Sequence, residues 1–109
     1  MTVAALTVFG CGGGDGESSS GGGGQKAVPI EDFKFMPARV QVDAGTKVTW
    51  TNRDAAPHTA TAGDDALRQR FDTKVIKQNA SASVSFDKPG TYAYVCDLHP
   101  FMRATVVVR

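Results

Sequence analysis

Along most of the chain, apolar and polar residues alternate one for one. Val40 and Val42 lie on one side, with Arg39, Gln41 and Asp43 on the other. Val48 and Trp50 oppose Lys47, Thr49 and Thr51, and Val84 and Phe86 oppose Ser83 and Ser85. A period of two is the mark of a half-buried β-strand, because successive side chains leave opposite faces. Val106-Val107-Val108 is instead a continuous apolar run, as expected of a strand covered on both faces or closing the chain in a core. Helical periodicity is nearly absent. Turn formers separate the runs: Met36-Pro37, Asp43-Ala44-Gly45-Thr46 and Lys88-Pro89-Gly90. These signals predict strands near 27–35, 38–43, 46–51, 57–61, 70–76, 81–86, 91–96 and 104–109. The stretch from Ala62 to Arg70 reads as a loop or one short helical turn around Asp64-Asp65-Ala66-Leu67. Short strands at regular spacing with Gly and Pro turns imply an all-β sandwich or barrel.

Composition changes this picture at the N-terminus. Residues 12–24 are Gly, Ser, Asp and Glu only, with nothing apolar to bury. Such a segment cannot offset the entropy of ordering and reads as a flexible linker. The single domain is therefore expected at 25–109. Ahead of the linker, residues 1–11 carry a short apolar run, Val3 to Phe9, too short to span a bilayer. The run resembles a signal-peptide core, and Val8-Phe9-Gly10-Cys11 resembles the lipobox at which a bacterial lipoprotein is cleaved and its Cys acylated. Cys11 is thus the expected lipidation site, which implies a protein anchored on the extracytoplasmic or periplasmic face of a membrane. A Gly-rich coil from Cys11 to Gln25 has a reach of about 20 Å. A disulfide joining Cys11 to Cys96 would pin this tail to a ligand cluster, and the two thiols are read as separate. The net charge is +1 and the Lys and Arg residues are scattered, which excludes a nucleic-acid footprint.

The densest chemistry lies in Cys96-Asp97-Leu98-His99-Pro100-Phe101-Met102. A thiolate, an imidazole and a thioether share one tight loop, and a second imidazole, His58, lies 38 positions upstream after Pro57. Thiolate and imidazoles suit copper, zinc or iron, and the thioether adds a preference for copper. Two His and one Cys with a weak axial Met is the donor set of a blue-copper electron-transfer centre. Structural zinc sites more often use paired Cys-x-x-Cys elements, which are missing here. Tyr92 and Tyr94 share parity with Cys96, so both rings are expected on the side to which the thiolate points. Tyr92, two residues after Gly90, suits a tyrosine corner.

The segments Val48-Thr49-Trp50-Thr51-Asn52, Pro57-His58 and Pro89 to Met102 resemble the plastocyanin-like cupredoxins, and the short Cys-x-x-His-x-x-Met loop is most similar to the amicyanin branch. The resemblance implies a Greek-key β-sandwich of seven to eight strands binding one type 1 copper ion that cycles between Cu(I) and Cu(II). It implies His58, Cys96 and His99 as strong ligands and Met102 as the axial one. Asn52 matches the family Asn that braces the ligand loop near the Cys, and Pro57 sits beside it in the supporting layer. Ala104 stands where the family commonly has Gly, which is expected to alter the turn into the last strand without removing copper. A fully ligated ion leaves no open position for substrate, so an electron carrier and not an enzyme is expected. His99 is the expected electron exit, with Met36, Pro100 and Phe101 forming an apolar docking collar. The branch implies redox-protein partners, with an amine dehydrogenase as donor and a c-type cytochrome or terminal oxidase as acceptor, served by a monomer. The rival reading is a copper-binding or delivery protein using the same ligands.

Overall fold

Eight strands arise from the alternating segments in the computed structural model, which describes residues 24–109. They are β1 (Gln25–Glu31), β2 (Lys34–Phe35), β3 (Arg39–Val42), β4 (Thr46–Asn52), β5 (Thr61–Ala62), β6 (Ser81–Phe86), β7 (Gly90–Val95) and β8 (Arg103–Val108). Two four-stranded sheets face each other, ordered β2-β1-β4-β6 and β3-β8-β7-β5. The pairs β1–β4 and β3–β8 are parallel and the others antiparallel. The chain changes sheet between β2 and β3, between β3 and β4, and at each step from β4 to β7. This is the expected all-β Greek-key sandwich. The expected leader at 1–11, nearly all of the linker and Cys11 lie outside the described residues.

The core sits where the two inner faces meet. Val28, Ile30, Val48 and Trp50 come from one sheet, and Val40, Val42, Tyr94, Val106 and Val108 from the other. Trp50 is its centre. Its ring stacks on Phe71 at 5.5 Å and meets Tyr94 edge-on at 5.4 Å. The buried indole Nε1–H donates to the Tyr94 hydroxyl at 3.1 Å, so neither polar atom is stranded. β8 alternates: Val106 and Val108 are buried and Val107 is half-buried, so the described residues cover the outer face of that sheet only in part. Tyr92 donates its hydroxyl to the Lys88 carbonyl at 2.7 Å, closing the predicted corner at the entry to β7.

Three expected strands differ. The segment 27–35 is two strands joined by a two-residue turn at Asp32-Phe33, with Ile30 opposite Phe35. The segments 57–61 and 70–76 do not pair as ladders. They meet at isolated bridges, His58 with Ile76 and Thr61 with Asp72, and only Thr61–Ala62 forms a strand. Side chains there replace ladder bonds: Ala60 N–H donates to Thr73 Oγ1 and Lys74 N–H to Asp72 Oδ1. Lys74 also has a φ of 62°, which breaks extension. The short helical turn lies at Asp65–Leu67, a 3-10 turn capped by the Asp64 carboxylate accepting from Ala66 N–H.

Candidate metal centre

Cys96 is the first residue beyond β7 and Met102 the last before β8. The loop between them closes on itself. His99 N–H donates to Cys96 O at 3.2 Å, Met102 N–H to His99 O at 2.9 Å and Cys96 N–H to Met102 O at 3.1 Å. The loop's shape is therefore set by its own backbone bonds and by the adjacent β7–β8 ladder. His58 reaches the same point from the loop after β4, and its bridge to Ile76 carries bonds in both directions, at 3.2 and 2.7 Å.

The donor atoms converge. Cys96 Sγ lies 3.7 Å from His58 Nδ1 and 3.7 Å from His99 Nδ1, and the three atoms lie within 4.8 Å of one another. First-row metal bonds of about 2.0 Å to imidazole and about 2.3 Å to thiolate, at trigonal angles, require S···N separations of about 3.8 Å. The Cys96 sulfur and the two imidazole Nδ1 atoms would thus fit as the donors of one metal ion. Cys96 and His58 are fully buried, Met102 is buried, and His99 is half-exposed. The buried thioether belongs to the same closed loop and tips the donor chemistry toward copper.

Neighbouring groups hold the donors. Thr59 N–H points at Cys96 Sγ at 3.3 Å, a bond of the kind that tunes a metal-bound sulfur. The Thr59 hydroxyl accepts from Asp97 N–H at 2.8 Å and pairs with Thr61 Oγ1 at 2.9 Å, which in turn donates to Asp72. Arg68 forms a two-pronged pair with Asp97 on the outside of the loop. Burial pushes the Asp72 carboxyl up, but the Lys74 backbone N–H, the Thr61 hydroxyl and the Lys74 ammonium outweigh it and the net shift is downward.

On the far side of His58, Nε2 lies 2.9 Å from Asp54 Oδ2. Nδ1 faces the Cys96 sulfur and Nε2 faces the carboxylate, the arrangement in which an Nε2–H donates to Asp54. Asp54 also accepts from Asp32 N–H at 2.8 Å and Phe33 N–H at 2.9 Å. Burial raises its pKa, whereas the Phe33 N–H, the His58 ring and the Asp32 N–H lower it, and the lowering prevails.

Asn52 corrects one expectation. Its side chain does not brace the loop near the Cys. It donates to the carbonyls of Ala56 and Ile76, each at 2.9 Å, and accepts from Asp54 N–H at 2.8 Å. All three partners are on the His58 side, because the loop after β4 curls back over the end of that strand. Thr59 instead takes the place beside Cys96. Pro57 is exposed and stands immediately before His58.

Exposed apolar side chains flank His99 in the loop, and Met36 is exposed at the end of the β2 hairpin. Phe101 is 70% exposed, Leu98 47% and Met36 44%, and Pro100 is exposed as well. Sequence reading missed Thr59 and Asp54, which hold Cys96 and His58, and it missed Phe33. Its ring stands edge-on to His58 and to His99, 5.0 Å from each, and stacks on Phe101 at 6.3 Å. A signal for it existed. The apolar positions Val28 and Ile30 are even and Phe33 and Phe35 odd, and that slip of phase marks a two-residue turn.

The profile of the copper binding proteins, plastocyanin/azurin family, matches residues 24–109. The chain is 38% identical to amicyanin-alpha of Methylorubrum extorquens over 87 residues, which cover 79% of this chain and 73% of that protein. It is 35% identical to amicyanin of Paracoccus versutus over 87 residues, 75% of this chain and 63% of that protein. Among solved structures, the crystal structure of amicyanin from Paracoccus versutus superposes with a TM-score of 0.70 at 28% identity, covering 77% of this chain and 80% of that one.

Proposed function

The chain belongs to the plastocyanin/azurin family of copper-binding proteins, and on that premise we propose that His58, Cys96 and His99, with Met102 as the axial donor, hold the single type 1 copper ion of a blue copper electron carrier. The observation that carries the assignment is the equal 3.7 Å approach of two imidazole Nδ1 atoms to one buried cysteine sulfur. Copper in that set supplies a one-electron Cu(II)/Cu(I) couple. The chain's part is to keep the donors in one arrangement through both states. The self-bonded loop from Cys96 to Met102, the Thr59 N–H on the sulfur and the Asn52 bonds beneath His58 serve that end.

Electrons enter and leave at His99, the donor that reaches the surface. Pro100 and Phe101, with Leu98 and Phe33 beside them, form the docking face, and Met36 extends it from the end of the β2 hairpin. This face is small and apolar, which suits the brief encounters of electron-transfer proteins. The partners are redox proteins, an amine dehydrogenase as donor and a c-type cytochrome or terminal oxidase as acceptor. The protein works outside the cytoplasm as a monomer, tethered through a lipid on Cys11, and has no enzymatic activity of its own. Acyl-chain incorporation at Cys11 supports the anchor, and its absence on labelling with palmitate refutes it. For the docking face the test is Phe101→Asp. Electron exchange with a cytochrome c slows at least tenfold while the visible spectrum stays unchanged; an unaltered exchange rate refutes the assignment.

A further inference from the structure

The turn Glu31-Asp32-Phe33-Lys34 joins β1 to β2 with both central residues in the left-handed region, φ 55° at Asp32 and 57° at Phe33. Both positive, these angles match a type I′ hairpin turn, normally the place of Asn and Gly. A phenylalanine there is disfavoured by its Cβ and needs an outside hold. The hold is Asp54. Its Oδ1 accepts from Asp32 N–H at 2.8 Å, and its Oδ2 accepts from Phe33 N–H at 2.9 Å and from His58 Nε2 at 2.9 Å. One carboxylate therefore grips the turn and a metal ligand together. The Phe33 ring so placed stands 5.0 Å from both His58 and His99. Asp54 is itself fixed, because its own N–H donates to Asn52 Oδ1 at 2.8 Å.

We propose that Asp54 is a positioning residue that locks the His58 imidazole to the Phe33 hairpin and, as a negative charge on that ligand, favours the oxidised ion. This inference rests on the copper assignment above. Two consequences follow from the carboxylate's two roles. A hydrogen-bonded carboxylate makes an imidazole a stronger donor and fixes its ring. It also keeps the apolar Phe33 ring over the two imidazole edges, so the site stays dry on that side whichever redox state it holds.

Asp54→Asn separates these roles from mere packing. The amide has nearly the same shape, but it carries no charge and has one acceptor oxygen, which cannot serve all three donors. Removing such a partner typically costs 10–100-fold in metal affinity. At the lower figure, borne by Cu(II) alone, the reduction potential rises by about 59 mV. Voltammetry of the copper-loaded wild type and Asp54→Asn reads this directly, with the blue colour kept in both. A second measurement needs no variant and no copper. In the metal-free wild type, NMR should find the His58 Nε2 proton slowly exchanging, and the Asp32 and Phe33 amides protected. A blue wild type with an unchanged potential in Asp54→Asn overturns the proposal, as does a His58 Nε2 proton exchanging as fast as that of an exposed histidine. A wild type that binds copper without turning blue overturns the copper assignment instead, while the metal-free NMR still judges the Asp54 contact.

Discussion

Replacing Asn52 with Ala should cost the metal-free protein about 3 kcal/mol. The side chain is fully buried at the end of β4 and makes three hydrogen bonds, two donated to the carbonyls of Ala56 and Ile76 and one accepted from Asp54 N–H. Each bond is worth about 1 kcal/mol net, and a partner left buried without water costs about 1–3 kcal/mol. The Ile76 carbonyl also accepts from His58 N–H and Ala56 is half-buried, so the lower end of that range applies to both carbonyls. Losing three bonds at roughly 1 kcal/mol each gives the estimate. Domains of this size have stabilities of order 5–15 kcal/mol, so the variant should still fold. Its melting temperature should fall by about 12–24 °C, at 4–8 °C per kcal/mol. The assay is urea unfolding of the metal-free protein followed by the fluorescence of Trp50, the single tryptophan. An unchanged slope with a lowered midpoint confirms a loss of stability. A loss below about 1 kcal/mol would refute the reasoning, since it would mean that water replaces these bonds freely.

Tyr94→Phe leaves the Trp50 indole N–H buried without its acceptor and should destabilise by about 1–3 kcal/mol, measured by the same unfolding, with the visible spectrum unmoved. Asp72 has a lowered folded pKa, so its contribution is present above the ordinary carboxylate value of about 4 and is lost as pH falls through the folded value. Asp72→Asn should therefore be less stable than the wild type at pH 7, and the gap should close on acidification; a constant gap across that window counts against the assignment. Arg68→Ala breaks a half-exposed pair with Asp97 and should cost under about 1 kcal/mol, falling further in high salt, as denaturation at two ionic strengths would show.

Strands with one wet face were legible because burial imposes a period of two. Val40 and Val42, Val48 and Trp50, and Val84 and Phe86 all point inward as that period demands. The candidate ligands were legible because soft donors crowd one loop and nothing else in the sequence competes with them. The segments around His58 and Ile76 were not, because their backbone pairing is broken into isolated bridges, with Thr73 and Asp72 side chains taking the Ala60 and Lys74 N–H groups between them, which leaves no periodic trace. Phe33 showed only as a slip of phase after Ile30, for a different reason. A bulky residue at positive φ is read from sequence as a strand position, and only the Asp54 carboxylate, 21 residues away, makes the turn tenable. Asn52 was found by its likeness to the family, but which neighbours it would hold depended on how the loop after β4 folds back.

The central claim is that one thiolate and two imidazoles of this chain bind copper as a redox centre. The most direct measurement is a visible spectrum of the copper-loaded protein taken through a reversible reduction and reoxidation. An intense thiolate-to-copper charge-transfer band that bleaches on one-electron reduction, returns on oxidation and is absent in Cys96→Ser is the predicted result. Tight Cu(I) binding with no stable coloured oxidised form would contradict it.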